Sequence, residues 1–528
     1  MSRPRRKCAR YSSPPKLHIN ELPQEIMYTI FDYLCIYSLS DVSLTCRYWE
    51  RLISEYGATR FTLRIGRVRS DEDTWYADCS ARANVHLTEA AKMLDCTKRR
   101  YSKVNIDLLG KPFETRQMNL VLSKLLVPPW LQQLVVLRIG LGKDLQTFAV
   151  KISKAVVKME CLQELHLVNP VNGFIRSHSF KKLKVVNRSL HKLVLHVSLP
   201  EVIDCPNLRV LDIVSSLDVE IIVGKQYIEH GGEEPYWKLK QLEELMIWHD
   251  DDDDEDWMIG WFSPRPLEQA TSIGSIEKIE FYRHLKQLKK LYYHASILSS
   301  EVLQAICESC VQLKDLHLLY LASIGPNPLR HLSNLNMLQQ LSICYSADIL
   351  SFAGVRLPLL ERLLLYDMKI DWPSLAELTS IKWLKITPDP SKVDQICDLL
   401  AGQLSSQLNF LWIAMDYVDV YACLPKLSAL QTLVVENVNQ QFSKYLPRLP
   451  QLRRLVIFPG YMSKMTLPLR LPKRMVNLEL MELGSCEIFQ RDITKCMMED
   501  DYASLNYHFR EQRSILVKYS YRHVSSLR

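Results

Sequence analysis

Leu408-Asn-Phe-Leu411-Trp-Ile413, Leu430-Gln-Thr-Leu433-Val-Val435 and Leu452-Arg-Arg-Leu455-Val-Ile457 are three versions of one pattern. In each, apolar residues hold the first, fourth and sixth places. The spacing of two between the last pair is that of a strand turning alternate side chains to one face. The same Leu-x-x-Leu-x-Leu, with Ile or Val in place of some Leu, starts at Leu134, Leu162, Leu190, Leu208, Leu242, Leu288, Leu313, Leu338, Leu360 and Ile381, and in degraded form at Met475. From Leu288 onward successive starts lie 21 to 27 residues apart. One such strand cannot bury its apolar face alone, whereas stacked neighbours share a continuous core.

Pattern and period resemble leucine-rich repeats. The resemblance implies an α/β fold over residues 131–482: a curved parallel sheet, with helices or loops on the convex side. Residues 300–310 and 394–400 read as two of those helices. Departures from the repeat consensus are visible. The place three residues after the last Leu, where Asn or Cys is usual, holds Pro170, Leu321 and Met368. A regular side-chain ladder along the convex turn is therefore not expected. The long steps from Leu208 to Leu242 and from Leu242 to Leu288 imply insertions or hide a poorly matching repeat. Phe61-Thr-Leu-Arg-Ile65 and Tyr101-x-x-Val104-x-Ile106, inside a 58–130 linker, read as divergent early turns.

The N-terminal part is built differently. Leu22-Pro23-Gln24-Glu25-Ile26 leads into Ile30-Phe31-Asp32-Tyr33-Leu34, and Cys46-Arg47-Tyr48-Trp49-Glu50-Arg51-Leu52 follows. Pro23 suits the first position of a helix, where its missing N–H costs nothing. Ile26, Met27, Ile30, Phe31 and Leu34 then recur at helical spacing. Ser38-x-x-Asp41 resembles a capping box, Leu39 to Tyr56 repeat every three to four residues, and Gly57 reads as a stop. Residues 17–57 thus read as a two-helix hairpin too small to bury both faces of its helices by itself. It needs another surface, either the rest of the chain, as a cap on the first turn, or a separate protein.

These N-terminal elements resemble an F-box, the motif that docks on the Skp-type adaptor of a cullin–RING ubiquitin ligase. The resemblance implies an adaptor-binding surface drawn from Leu22, Pro23, Glu25, Ile26, Ile30, Phe31, Leu34, Leu39 and Trp49, with Trp49 packed between the helices.

Composition bounds the rest. With 47% hydrophobic and 24% charged residues the chain reads as folded and soluble. A net charge of +7 over 528 residues is too dilute to argue for nucleic acid or an anionic membrane. Residues 1–16 are basic, Pro/Ser-containing and expected to be disordered; residues 483–528 are a C-terminal cap or tail. No secretory or membrane-spanning segment is evident, and 14 dispersed Cys fit reduced thiols in the cytoplasm or nucleus. The sequon Asn187-Arg-Ser189 has no meaning without secretion.

Three features invite chemistry and support little of it. Cys307-Glu-Ser-Cys310 lacks the second ligand pair of a zinc site, and its spacing to Leu313 copies Cys205-Pro-Asn-Leu208, so buried apolar Cys is the better reading. The acidic run at residues 250–256 falls in the longest step and reads as a solvated loop, with contact to a basic partner as the alternative. No phosphate-binding Gly loop, H-E-x-x-H or G-x-S-x-G is present, so no enzyme and no cofactor are expected.

The outward-facing strand positions carry more. They include Trp248, Lys290, Tyr292, His294, Asp315, His317, Arg362, Tyr366, Trp383, Lys385, Phe410, Trp412, Arg454 and Phe458. Aromatics favour strands for their own sake, so no single one decides the matter. As a set on one face, Trp248, Tyr292, His317, Tyr366, Trp383, Phe410, Trp412 and Phe458 are the candidate substrate-binding residues. Together with the F-box they imply a substrate receptor of a ubiquitin ligase. The alternative is a repeat scaffold whose helical hairpin merely caps the stack.

Overall fold

The structure, a computed structural model, describes residues 19–66 apart from 35 and 61, then 79–97, 101–108, 114–141, 145–168, 180–196, 200–214, 239–248, 275–294, 298–321, 327–366, 368–387, 389–414, 420–436, 442–445, 448–458, 477 and 480–483. It divides into two units, Met1–Leu141 with Lys158–Leu162, and Gly142–Val157 with Gln163–Arg528. The basic N-terminal stretch, the acidic run and the segment after 483 lie outside the described residues.

The first unit opens with three helices rather than two: α1 (Gln24–Asp32), α2 (Ile36–Ser43) and α3 (Arg47–Arg60). Pro23 stands one place before α1, where its carbonyl accepts from Ile26 N (3.0 Å) and Met27 N (3.1 Å). Ser38 lies inside α2, so it is not a cap. The second helix ends because Thr45 folds back, its N–H and hydroxyl both donating to Val42 O, at 3.1 and 2.7 Å. Cys46 O then starts α3 by accepting from Glu50 N at 3.0 Å. Gly57 does not stop α3; it is buried within it, and the helix runs on to Arg60. The same unit carries three parallel strands in register, β1 (Thr62–Ile65), β2 (Lys103–Asp107) and β3 (Val136–Gly140). The two early turns expected from sequence are thus strands of the repeat type.

The second unit is the stack of repeats. Its strands are β4 (Glu164–Val168), β5 (Phe180–Val186), β6 (Lys192–His196), β7 (Pro200–Asp204), β8 (Val210–Val214), β9 (Glu244–Trp248), β10 (Lys290–His294), β11 (Asp315–Leu321), β12 (Gln340–Leu350), β13 (Arg362–Leu365), β14 (Met368–Ile370), β15 (Trp383–Ile386), β16 (Phe410–Ile413), β17 (Thr432–Glu436), β18 (Arg454–Phe458) and β19 (Leu480–Leu483). The main sheet runs β4-β6-β8-β9-β10-β11-β12-β13-β15-β16-β17-β18-β19, every pair parallel. Because β8 pairs with β9 and β9 with β10, neither long step places a strand between its flanking strands in the main sheet.

The apolar positions of the pattern make the core. Leu291, Leu316, Leu341, Leu363, Leu384, Leu411, Leu433 and Leu455 line up across the sheet and are buried. Main-chain carbonyls join successive repeats at the strand entries. Glu361 O accepts from Lys382 N and Trp383 N (2.9 and 3.0 Å), Lys382 O from Asn409 N and Phe410 N, and Asn409 O from Gln431 N and Thr432 N. At the positions where Asn was missing, Leu321 is buried and bridges Leu298, while Met368 opens β14, which pairs with the far half of β12.

The side away from the main sheet varies with repeat length. Helices Ser300–Ser309 and Val393–Ala401 occupy longer steps, and 3₁₀ turns at Trp372–Glu377 and Val420–Lys426 occupy shorter ones. A second, two-stranded parallel sheet, β5 with β7, was not evident in sequence. Asn187 holds it in place: its side chain donates to Val156 O (2.7 Å) and accepts from Ser189 N (2.8 Å). The sequon asparagine is therefore buried and committed to the fold.

Candidate protein-binding surfaces

In the helical module, Met27, Phe31, Leu39, Leu52, Ile53 and Tyr56 form the core. Phe31 lies at its centre, with ring centroids 5.8 Å from Trp49 and 5.3 Å, edge-on, from Tyr56. Polar contacts fasten the rim. Tyr56 OH donates to Asp32 Oδ1 at 2.8 Å, and Arg60 Nη1 stands 3.1 Å from the same oxygen. Trp49 Nε1 donates to Asn20 Oδ1 at 2.7 Å, which ties the third helix to the turn before the first.

This sorts the expected adaptor-binding residues. Pro23, Glu25 and Ile26 are exposed and free to meet a partner. Leu22, Ile30, Leu34 and Trp49 are partly buried against the core. Phe31 and Leu39, at 0% and 3% exposure, are inside it, and this corrects their role from contact to support. The sequence reading passed over two residues. Tyr33 (87% exposed) and Leu44 (82% exposed) stand out at the ends of α1 and α2, and the unrecognised break after Ser43 is the signal that could have marked Leu44.

The open face of the main sheet is set by register. Its first row reads Glu164, Lys192, Val210, Glu244, Lys290, Asp315, Gln340, Arg362, Trp383, Phe410, Thr432 and Arg454. Charges dominate its first part, and one pair, Lys290 Nζ and Glu244 Oε1, is 2.7 Å apart. On β15 and β16 this row turns aromatic. Trp383 stacks on Phe410 with centroids 4.7 Å apart and planes 14° apart, and both pack against a cluster of Trp412, Val434 and Val456.

Each candidate on this face has its own setting. Trp248 Nε1 donates to Asp212 Oδ1 (3.0 Å), and its ring lies 4.6 Å from His294. His196 Nε2 stands 3.4 Å from the same Asp212 oxygen without the geometry of a hydrogen bond. Tyr292 and His317 stack at 4.1 Å, nearly parallel, and His317 Nε2 is 3.0 Å from Gln340 Nε2. Trp412 Nε1 donates to Glu436 Oε1 at 2.7 Å. Tyr366 lies on the far side of Lys385 from Trp412, 5.7 Å from ring centroid to Nζ. The side chain of Phe458 lies outside the described residues.

Two of these residues are corrected. Tyr292 and Trp412 point away from the core as expected, yet only 5% and 7% of their surface is open because their neighbours cover them. Trp383 and Phe410 remain half-buried and present ring surface. Among the described residues no group of three or more His, Cys, Asp or Glu is placed to hold a metal ion. Cys307 and Cys310 are fully buried, and burial pushes the Cys310 thiol up to about 12. Cys310 and Cys205 each reach a main-chain carbonyl of the preceding repeat, Tyr282 O and Val185 O. No helix among the described residues is long and apolar enough to cross a membrane.

Comparison with known proteins agrees with the N-terminal geometry. The family model described as F-box-like matches residues 19–57. No curated protein sequence matches the chain. Among solved structures, an internalin of Listeria monocytogenes is similar at 16% identity and a TM-score of 0.32, covering 67% of this chain and 83% of its own. A leucine-rich-repeat protein of Leptospira interrogans is similar at 15% identity and a TM-score of 0.34, covering 78% and 86%. Likeness at that level carries no argument, and the repeat architecture rests on the register described above.

Proposed function

We propose that this chain, whose residues 19–57 match an F-box-like family model and whose second unit stacks strands of the leucine-rich-repeat pattern, is a substrate receptor: the F-box docks on a Skp-type adaptor, and through it a cullin–RING ubiquitin ligase, while the repeats hold a protein for ubiquitination and proteasomal degradation. The observation that carries this reading is the F-box module itself. It closes its own aromatic core and still leaves Ile19, Ile26, Tyr33 and Leu44 in water.

The chemistry is proximity. A receptor that holds a substrate beside the charged conjugating enzyme raises the effective concentration of a target lysine without making or breaking a bond itself. The site of action is the cytoplasm or nucleus, where the adaptor and the proteasome are found. The open face of β15–β18 is the proposed substrate surface, because stacked aromatics among apolar neighbours are the usual anchors of protein interfaces.

The test is co-purification of the full chain with a Skp-type adaptor. Ile26→Glu places a charge at a half-exposed position and is expected to abolish the complex while leaving the unfolding midpoint in place. Phe31→Ala is the contrast, because it opens the module's core at a cost of about 3–5 kcal/mol and loses binding through unfolding. A chain that binds no adaptor in its unaltered form refutes the receptor reading and leaves a repeat scaffold.

A further inference from the structure

Lys385 is out of place by every local criterion. It occupies the middle of β15 in a row where register sets Leu364 on one side and Trp412, Val434 and Val456 on the other. Only 9% of its surface is exposed. Its ammonium lies 3.6 Å from the centroid of the Trp412 ring and 5.7 Å from that of Tyr366, with buried Ser342 two strands away across Leu364. No hydrogen bond or ion pair to a described residue holds it. The carboxylate whose field reaches it, Glu436, accepts from Trp412 Nε1 instead.

Removing an ammonium from water is expensive, and a ring face returns only part of the loss. Burial accordingly drives the Lys385 pKa down, against the pull of Glu436 and Cys344.

We propose that Lys385 is an anion-recognition point within the substrate surface, taking the carboxylate of an Asp or Glu side chain whose apolar neighbour in the substrate lies on Trp383 and Phe410. The proposal rests on the reading that the open face of the repeats holds the substrate, and it names the chemistry that face selects. A carboxylate fits better than a phosphate. The site offers one ammonium with Glu436 nearby, so a single negative charge is matched, whereas a phosphate brings about 1.5 to 2. A polyanion such as a nucleic acid needs several exposed cations along its path, and this row is apolar on both sides of Lys385.

The test measures binding of synthetic peptides to the full chain by fluorescence anisotropy. One set carries Asp or Glu beside Leu, Phe or Trp; a second carries Asn or Gln at the same place; a third carries phosphoserine. Unaltered protein is expected to prefer the acidic peptide to its amide counterpart by about ten- to a hundredfold, the range of a charge-assisted hydrogen bond. Lys385→Met should erase that preference and leave the weaker apolar affinity. Glu436→Gln, which keeps an acceptor for Trp412 and removes the carboxylate whose field reaches the ammonium, should change the preference for acid over amide by a few fold; an unchanged preference overturns the proposal, and this arm decides the matter if the Lys385 variant does not fold. Acid preference that survives Lys385→Met, equal binding of acid and amide peptides, or tighter binding of phosphoserine each overturns the proposal while leaving the substrate surface standing. Failure of every peptide to bind overturns that surface and the proposal with it.

Discussion

Truncating adjacent residues of β15 separates fold from function. Leu384 is 1% exposed and aligned with Leu363 and Leu411 in the core row. Leu384→Ala removes buried methyl groups from a stack that relaxes little, at a cost of about 2–5 kcal/mol. Trp383, one residue earlier, faces the other way. Its stack on Phe410 is worth about 0.5–1.5 kcal/mol beyond the area it covers, so Trp383→Ala should cost about 1–2 kcal/mol of stability. As an anchor it should cost roughly 1–4 kcal/mol of binding. Trp412→Ala behaves differently, because a side chain only 7% exposed, donating to Glu436, is part of the packing. It should destabilise by about 3–5 kcal/mol and confuse any binding assay. Urea unfolding of the three variants gives the stabilities, and capture of ubiquitinated protein from cells with the proteasome inhibited gives the binding. Greater loss of stability in the Trp383 variant than in the Leu384 variant means that the strand register is inverted. A folded Trp383 variant that still captures every substrate moves the recruiting surface elsewhere.

Other outcomes follow from particular residues. Burial lowers the pKa of His294 to about 4, so at pH 5 the unfolded chain binds the proton that the folded chain refuses; stability should fall by about 2 kcal/mol between pH 7 and 5, and His294→Asn should flatten that slope in a pH series of urea melts. Asn187→Ala strands Val156 O and frees the turn at Ser189, at about 1–3 kcal/mol, and a mild loss of midpoint argues against its holding β5. Deleting residues 250–256 should leave the midpoint nearly unchanged, because β9 pairs directly with β10 and shortening a loop alters closure entropy only slightly; a large drop means that the run is packed or binds a cation.

The sequence by itself determined the strands and their inside from outside. Leucines two apart on a strand must share a face, and a face lined by them must be buried, so Leu384 and Leu411 were legible as core and Trp383 and Lys385 as outward. The F-box motif was legible as well, because its order of Leu-Pro, Ile-Phe and Cys-Arg-x-Trp is contained in about thirty contiguous residues. Tertiary structure alone decided what depends on contacts between segments a repeat or more apart. The return of Thr45 onto Val42 makes three helices of an expected two, and Phe31 becomes support because Trp49 and Tyr56 close over it. Neither the pairing of β5 with β7 nor that of β14 with β12 leaves a periodic trace. Trp383, Phe410 and Trp412 read alike as outward aromatics, yet the first two stack and stay open while the third is laid over Lys385 and covered. Periodicity reports which face a side chain takes. What covers it there is settled by neighbours more than twenty residues away, through ring stacking, one hydrogen bond and the cost of an ammonium removed from water.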